Sequence, residues 1–301
     1  MELKQKNDIF RLTIAALAMA CMILDPKCGI RGAEIGIELC IKTVIPSLFT
    51  FFVISIYLTP CMQTIPAWAF RPLEFLFRIP KGTGVLLLIG ILGGYPVGAK
   101  IITDARRNKS ISQSVADRML AFSSNAGPAF IFGMSTSLFD HRSAPWLLWG
   151  IHILSAWLVS LLVKPPEAKC SPDEKYKRIT ISEAMKNAIQ VMAGVCGGII
   201  LFRVILAFLQ RWFLWLLPIS FQAIVCGMLE LSNGFIFTGE IEQAQLRFIL
   251  CSGMLGFGGI CVLMQTASVC APYGTGKYLG GKVLQCIVSI LLSLLLVPLI
   301  V

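Results

Sequence analysis

Long apolar runs separated by short polar breaks dominate the chain. Three runs, Pro145 to Val163, Trp212 to Leu229 and Val283 to Val301, carry no charge, and each is close to the about 20 residues that a helix needs to cross about 30 Å of hydrocarbon. Weaker runs are Ile9 to Leu24 with Arg11 near one end, Ile35 to Thr59 with Glu38 and Lys42 in its first turns, and Asn187 to Gln210 carrying Arg203. Charges near helix ends can snorkel to the interface. The run Ile9 to Leu24 is followed by Asp25, Pro26 and Lys27 and not by a small-residue cleavage site, so it reads as a retained helix.

Between these runs, Pro66 to Pro80 mixes Trp and Phe with Arg71, Glu74 and Arg78, a pattern suited to a helix lying in the headgroup layer. Thr83 to Thr103 is long enough to cross, but crossing would carry Arg106, Arg107, Lys109 and Arg118 to the side opposite Arg71, Arg78 and Lys81. A re-entrant hairpin removes that conflict with the preference of basic residues for one face. On this reading Gly84 to Leu92 enters, the chain turns over Gly93 to Gly98, and Ala99 to Thr103 returns. Met119 to Phe139 then crosses outward with an interruption at Asn125, Gly127 and Pro128.

The expected organisation is an N-terminal membrane helix and short loop over 1–34, a first membrane half over 35–163 with its hairpin near 84–103, a basic cytoplasmic linker over 164–182, and a second membrane half over 183–301. Gly90 to Gly94 and Gly253 to Gly259 echo each other, with glycines around an aromatic residue in each half. Glycine-interrupted segments in two halves suggest a transporter-like internal repeat with broken helices. The fold class is therefore an all-α polytopic membrane protein with two hydrophobic halves and re-entrant hairpins.

Composition agrees: 56% of the 301 residues are hydrophobic and 14% charged, and mean hydropathy is +0.78, a balance that requires lipid as solvent. The formal net charge of +10 suits cytoplasmic loops beside anionic lipid, not nucleic acid. Of the three basic clusters placed inside, the first holds Lys4, Lys6 and Arg11, the second Arg106 to Arg118, and the third Lys164, Lys169, Lys175, Lys177 and Arg178. The 11 cysteines form no CxxC pair and mostly sit in apolar runs, as small buried hydrophobes do.

The densest local signal is Gly90 to Lys100, in which Gly93, Gly94, Tyr95, Pro96 and Gly98 interrupt an apolar run. Broken helical hydrogen bonding frees backbone groups that can hold a polar solute; alternatively, the glycines serve close helix packing. Lys100 either faces an anionic solute or marks the cytoplasmic end of the hairpin. Asn125, Gly127 and Pro128 either form a wall for the hairpin tip or a kink with Asn125 as interhelical glue. Glu230, Asn233 and Gln265 place polar groups beside glycine breaks, with Glu230 either at membrane depth or at the interface. No metal site is expected: His141 and His152 have no carboxylate at ligand-like spacing, and His152 reads as a packing residue. No catalytic signature is present, and the chain is expected not to be an enzyme and to need no cofactor.

Taken together, these residues resemble the family of sporulation integral membrane proteins of the YlbJ type, whose members carry the nucleoside-recognition or Gate domain. The resemblance rests on Ile45 to Leu48, Gly93 to Lys100, Ile111 to Phe122 and Asn125 to Gly133 in the first half. In the second it rests on Val195 to Phe202, Leu229 to Gly234 and Gly256 to Gln265. It implies a multi-pass inner-membrane protein of a spore-forming bacterium, engaged in cortex formation, with a transporter-like core distantly akin to concentrative nucleoside carriers. The acidic and amide-rich hairpin motifs of those carriers are absent from Gly93 to Lys100, so nucleoside is not implied as the solute. The expected function is movement of a small polar solute. The alternative is a scaffold, a homo-oligomer or one assembled with other sporulation membrane proteins.

Overall fold

A computed structural model describes residues 2–61, 65–165 and 179–297, and every regular element in them is helical. The basic residues Lys169, Lys175, Lys177 and Arg178 of the linker lie outside the described residues, as does 298–301. Among the described residues, five helices are long and apolar enough to cross a membrane: Pro26–Cys61, Ala144–Leu162, Ile181–Trp212, Ala244–Cys270 and Gly276–Leu296. The protein is an all-α polytopic membrane protein.

Helix α1 (Glu2–Leu24) precedes a 36-residue rod, Pro26–Cys61, built from α2 (Pro26–Leu39), a π-helical turn (Cys40–Val44) and α3 (Ile45–Cys61). Residues 26–34, expected as a loop, are helical because Pro26 opens the first turn and Asp25 caps it, accepting from the Cys28 amide at 3.1 Å. Next come a 3-10 turn (Ala67–Phe70) and α4 (Arg71–Leu76). This segment leaves Trp68 and Phe75 exposed, as the headgroup-layer reading expects. Glu74, however, is buried and caps the start of the next helix, accepting from the Gly82 and Gly84 amides at 2.7 and 3.2 Å.

Helices α5 (Gly84–Gly93) and α6 (Val97–Arg107) form an antiparallel pair. At about 1.5 Å per residue each covers about 15 Å, half of the hydrocarbon thickness. The two approach so closely that a Cβ on Gly98 would lie 2.9 Å from the Gly90 Cα. Then α7 (Gln113–Ser123), α8 (Pro128–Ser135) and α9 (Ala144–Leu162) complete this half. The interrupted crossing thus begins earlier than Met119, at the Ser112 cap, and breaks over 124–127.

Arg118, 2% exposed, ties this half together. Its Nη2 donates to the carbonyls of Phe77 and Ser160 at 3.2 and 2.9 Å and its Nε to that of Val163 at 3.3 Å. Arg118→Met should therefore cost on the order of 3 kcal/mol, read as a lower unfolding temperature in detergent, with Arg118→Lys recovering part of the loss.

The second half repeats this order. Helix α10 (Ile181–Trp212) starts at a capping box of Thr180 and Glu183 and lies against α2, where a Cβ on Gly32 would be 2.9 Å from that of Ala207. Helices α11 (Ile219–Leu229) and α12 (Leu231–Thr238) form a second antiparallel pair; a Cβ on Gly234 would lie 2.3 Å from the Gly227 Cα. Helices α13 (Ala244–Phe257) and α14 (Gly259–Cys270) are one rod broken at Gly258, and α15 (Gly276–Leu296) closes the bundle.

The structure also corrects the bounds of two expected membrane helices. Trp212 to Leu229 is not one crossing helix. Trp212 ends α10, Leu217 is extended, and Pro218 restarts the chain as the short α11. The last helix begins at Gly276, not Val283, because Lys282 is accommodated inside the bundle.

Each half therefore runs long helix, hairpin, broken helix, closing helix. The hairpins enter from opposite ends of the bundle. The base of α5/α6 shares an end with Cys270 and Ala271, whose neighbourhood Arg107 joins by donating to the Val269 and Ala271 carbonyls at 3.3 and 2.6 Å. The base of α11/α12 sits instead at Leu138, beyond α8, where Arg247 bridges the Leu138 and Ile241 carbonyls. The glycine echo of 90–94 with 253–259 is thus out of register. It pairs a hairpin tip with a helix break, whereas the counterpart of the first tip is 229–231.

Candidate functional site

Both hairpin tips and both helix breaks meet at the centre of the bundle. The first tip packs on the first break, where a Cβ on Gly94 would lie 2.9 Å from the Gly127 nitrogen; φ of +72° at Gly94 also requires glycine. The second tip packs on the second break, where a Cβ on Gly259 would be 3.1 Å from the Gly227 carbonyl. Tyr95 joins the halves, its hydroxyl donating to the Leu255 carbonyl at 3.2 Å beside Gly258.

A cavity of about 50 Å³ lies between these parts. It is lined by Gly93, Gly94 and Tyr95 of the first tip, Gly127, Ala129 and Phe130 after the first break, Glu230, Leu231 and Ser232 of the second tip, and Cys261, Val262 and Gln265 of α14. Helix α3 and its π turn supply Val44, Leu48, Phe51 and Phe52, and α10 supplies Val195 and Ile199. The wall is mainly apolar, with a few convergent polar groups, the usual make-up of a small-solute pocket.

Glu230, 3% exposed, is at the centre and not at the interface. It caps α12, accepting from the amides of Ser232 and Asn233 at 3.0 and 2.8 Å and from Asn233 Nδ2 at 2.7 Å. Asn233 thus stands one layer behind the cavity. Of the other expected site residues, Pro96 caps α6 and Pro128 opens α8. Gly98 lies against Gly90 and the Ser123 carbonyl. Lys100 is half exposed and pairs with Asp104 at 3.2 Å, away from the cavity.

Behind Tyr95 lies a buried polar cluster that the sequence did not single out. Lys282 of α15 donates to Asn125 Oδ1 at 3.0 Å and Gln285 Oε1 at 2.8 Å. Gln285 Nε2 donates to Asn125 Oδ1 at 3.0 Å and to the His152 carbonyl at 3.2 Å. His152, read from sequence as a packing residue, has a polar task here. Its Nε2 accepts from the Ala126 amide at 3.1 Å, satisfying a backbone group freed by the first break. The only sequence signal for the cluster was Asn125 within an interrupted helix. Among the described residues no group of three or more His, Cys, Asp and Glu side chains could hold a metal.

The sporulation integral membrane protein YlbJ of Bacillus subtilis strain 168 is 24% identical to the chain over 325 aligned positions, covering 89% of the chain and 77% of that relative. The chain is similar to this sporulation integral membrane protein over most of its length. No family model and no solved structure matches it. The alignment to this YlbJ relative spans both halves of the chain, since 89% exceeds what either half supplies.

Proposed function

We propose that this chain is a carrier-like component that passes a small polar solute across the inner membrane of a spore-forming cell, in support of cortex assembly. The observation that carries the reading is the meeting of two oppositely entering hairpin tips and two helix breaks at one cavity. That arrangement suits alternating access, in which one half rocks against the other around a fixed site. The kinship with a sporulation integral membrane protein supports the cellular setting.

The cavity is small, about 50 Å³, and its few polar groups lie among apolar side chains. Glu230, Ser232 and Gln265 supply the polar contacts. Among the described residues the Nε2 of Gln265 bonds to the Cys261 sulfur alone, at 3.3 Å, which leaves its amide for a solute.

The test is Gln265→Leu in a strain lacking the native gene. The variant should insert at normal levels yet fail to restore spore formation. Full restoration would overturn the carrier reading and favour a scaffold in which the glycines serve packing alone.

A further inference from the structure

We propose that Lys282 is a tethered cation: its ammonium group fills the position that a monovalent metal ion would take at the break between α7 and α8, so this chain needs no such ion from solution. The inference deepens the carrier reading above and rests on it. In carriers with broken helices, the C-terminal ends of half-helices and unwound carbonyls hold coupling cations. The end of α7 is such a terminus, carrying the partial negative charge of its last carbonyls.

The ligands around Lys282 have the character of a cation site. The side chain is 1% exposed, and both of its acceptors, Asn125 Oδ1 and Gln285 Oε1, are neutral amide oxygens. The rings of Tyr95 and Tyr278 lie 5.2 and 5.7 Å from Nζ, within cation–π range. No carboxylate lies within ion-pair distance of it among the described residues.

The setting is built and not incidental. Asn125 Nδ2 donates to the Phe122 carbonyl at 2.6 Å, which turns its oxygen toward Lys282. Gly281 allows α15 to touch α7: a Cβ there would lie 2.1 Å from the Ala121 carbonyl oxygen. The amine is thereby held in register with the break. A cation buried without a counter-charge is costly, and an apolar side chain of similar volume would be cheaper; a tethered amine beside the break is what the proposal accounts for.

Thermal unfolding of the purified protein tests this, in matched concentrations of choline, sodium, lithium, potassium, ammonium and methylammonium chloride. Wild type should melt within about 1 °C across the series. Lys282→Ala should melt about 5 °C or more lower in choline and regain about half of that loss or more with sodium, ammonium or methylammonium, in a saturable manner. Lys282→Met, which fills the space, should melt at the same temperature in every salt, because it leaves no room for an added cation.

A Lys282→Ala protein that melts alike in every salt would overturn the proposal. If neither variant folds, the wild-type series decides: stabilisation of several degrees by sodium over choline would show a metal site still open, and salt independence would support the tether. The readout involves no solute movement, so a failed tether and a failed carrier give different results.

Discussion

Gly281→Ala should be among the most damaging single substitutions in the chain. A methyl group there would sit 2.1 Å from the Ala121 carbonyl oxygen and 2.7 Å from its carbon, all backbone atoms of α7. No rotamer relieves such a contact, so α15 must move away from α7, with an overpacking cost on the order of 3 kcal/mol. The movement would also withdraw Lys282 and Gln285 from Asn125. The neighbouring Gly280 provides the control, because a Cβ there meets nothing within 4 Å. Gly280→Ala should leave the unfolding temperature unchanged or raise it, since alanine favours the helix by about 0.5–1 kcal/mol. Equal behaviour of the two variants would contradict the α7–α15 packing.

Glu230→Ala should be nearly as severe, for an electrostatic reason. It removes the acceptor of three N–H groups at the second hairpin tip, and each buried donor left without a partner costs about 1–3 kcal/mol. The tip would fray where it lines the cavity. Glu230→Gln keeps one carbonyl oxygen, so it should fall between wild type and alanine in unfolding temperature. Measured by hydrogen exchange, the amides of Ser232 and Asn233 should lose protection first. Unchanged protection in the alanine variant would show that the carboxylate does not hold the tip.

The first hairpin was legible in the sequence and the second was not, and the difference is chemical. Gly93, Gly94, Pro96 and Gly98 crowd one turn, and the basic residues on both flanks forbid a simple crossing. The second hairpin turns at Glu230, flanked by leucines, with Gly227 and Gly234 a full turn away on either arm. Hydropathy alone therefore merges α11 with the apolar end of α10, and only Pro218 marks the restart.

The cavity side of the site drew on breaks visible in the sequence, namely Gly94, Gly127 and Glu230. The Lys282 cluster was hidden for another reason. Lys282 meets Asn125 across 157 residues of sequence, and it lies just before the charge-free run that starts at Val283. Burial of a cation is decided by partners that only the folded chain brings near. The same holds for His152, whose role depends on an amide freed by a break on another helix.

The opposite entry of the two hairpins is tested most directly by cysteine labelling across the membrane, in a variant lacking the 11 native cysteines. Single cysteines at Lys81 and Lys109 flank the first hairpin, and at Leu216 and Glu240 the second; all four positions are exposed. The first two should react with an impermeant reagent from one side of the membrane only, and the last two from the other side only. If the two flanks of either hairpin reacted from opposite sides, that hairpin would be an ordinary crossing and the paired central site would not exist.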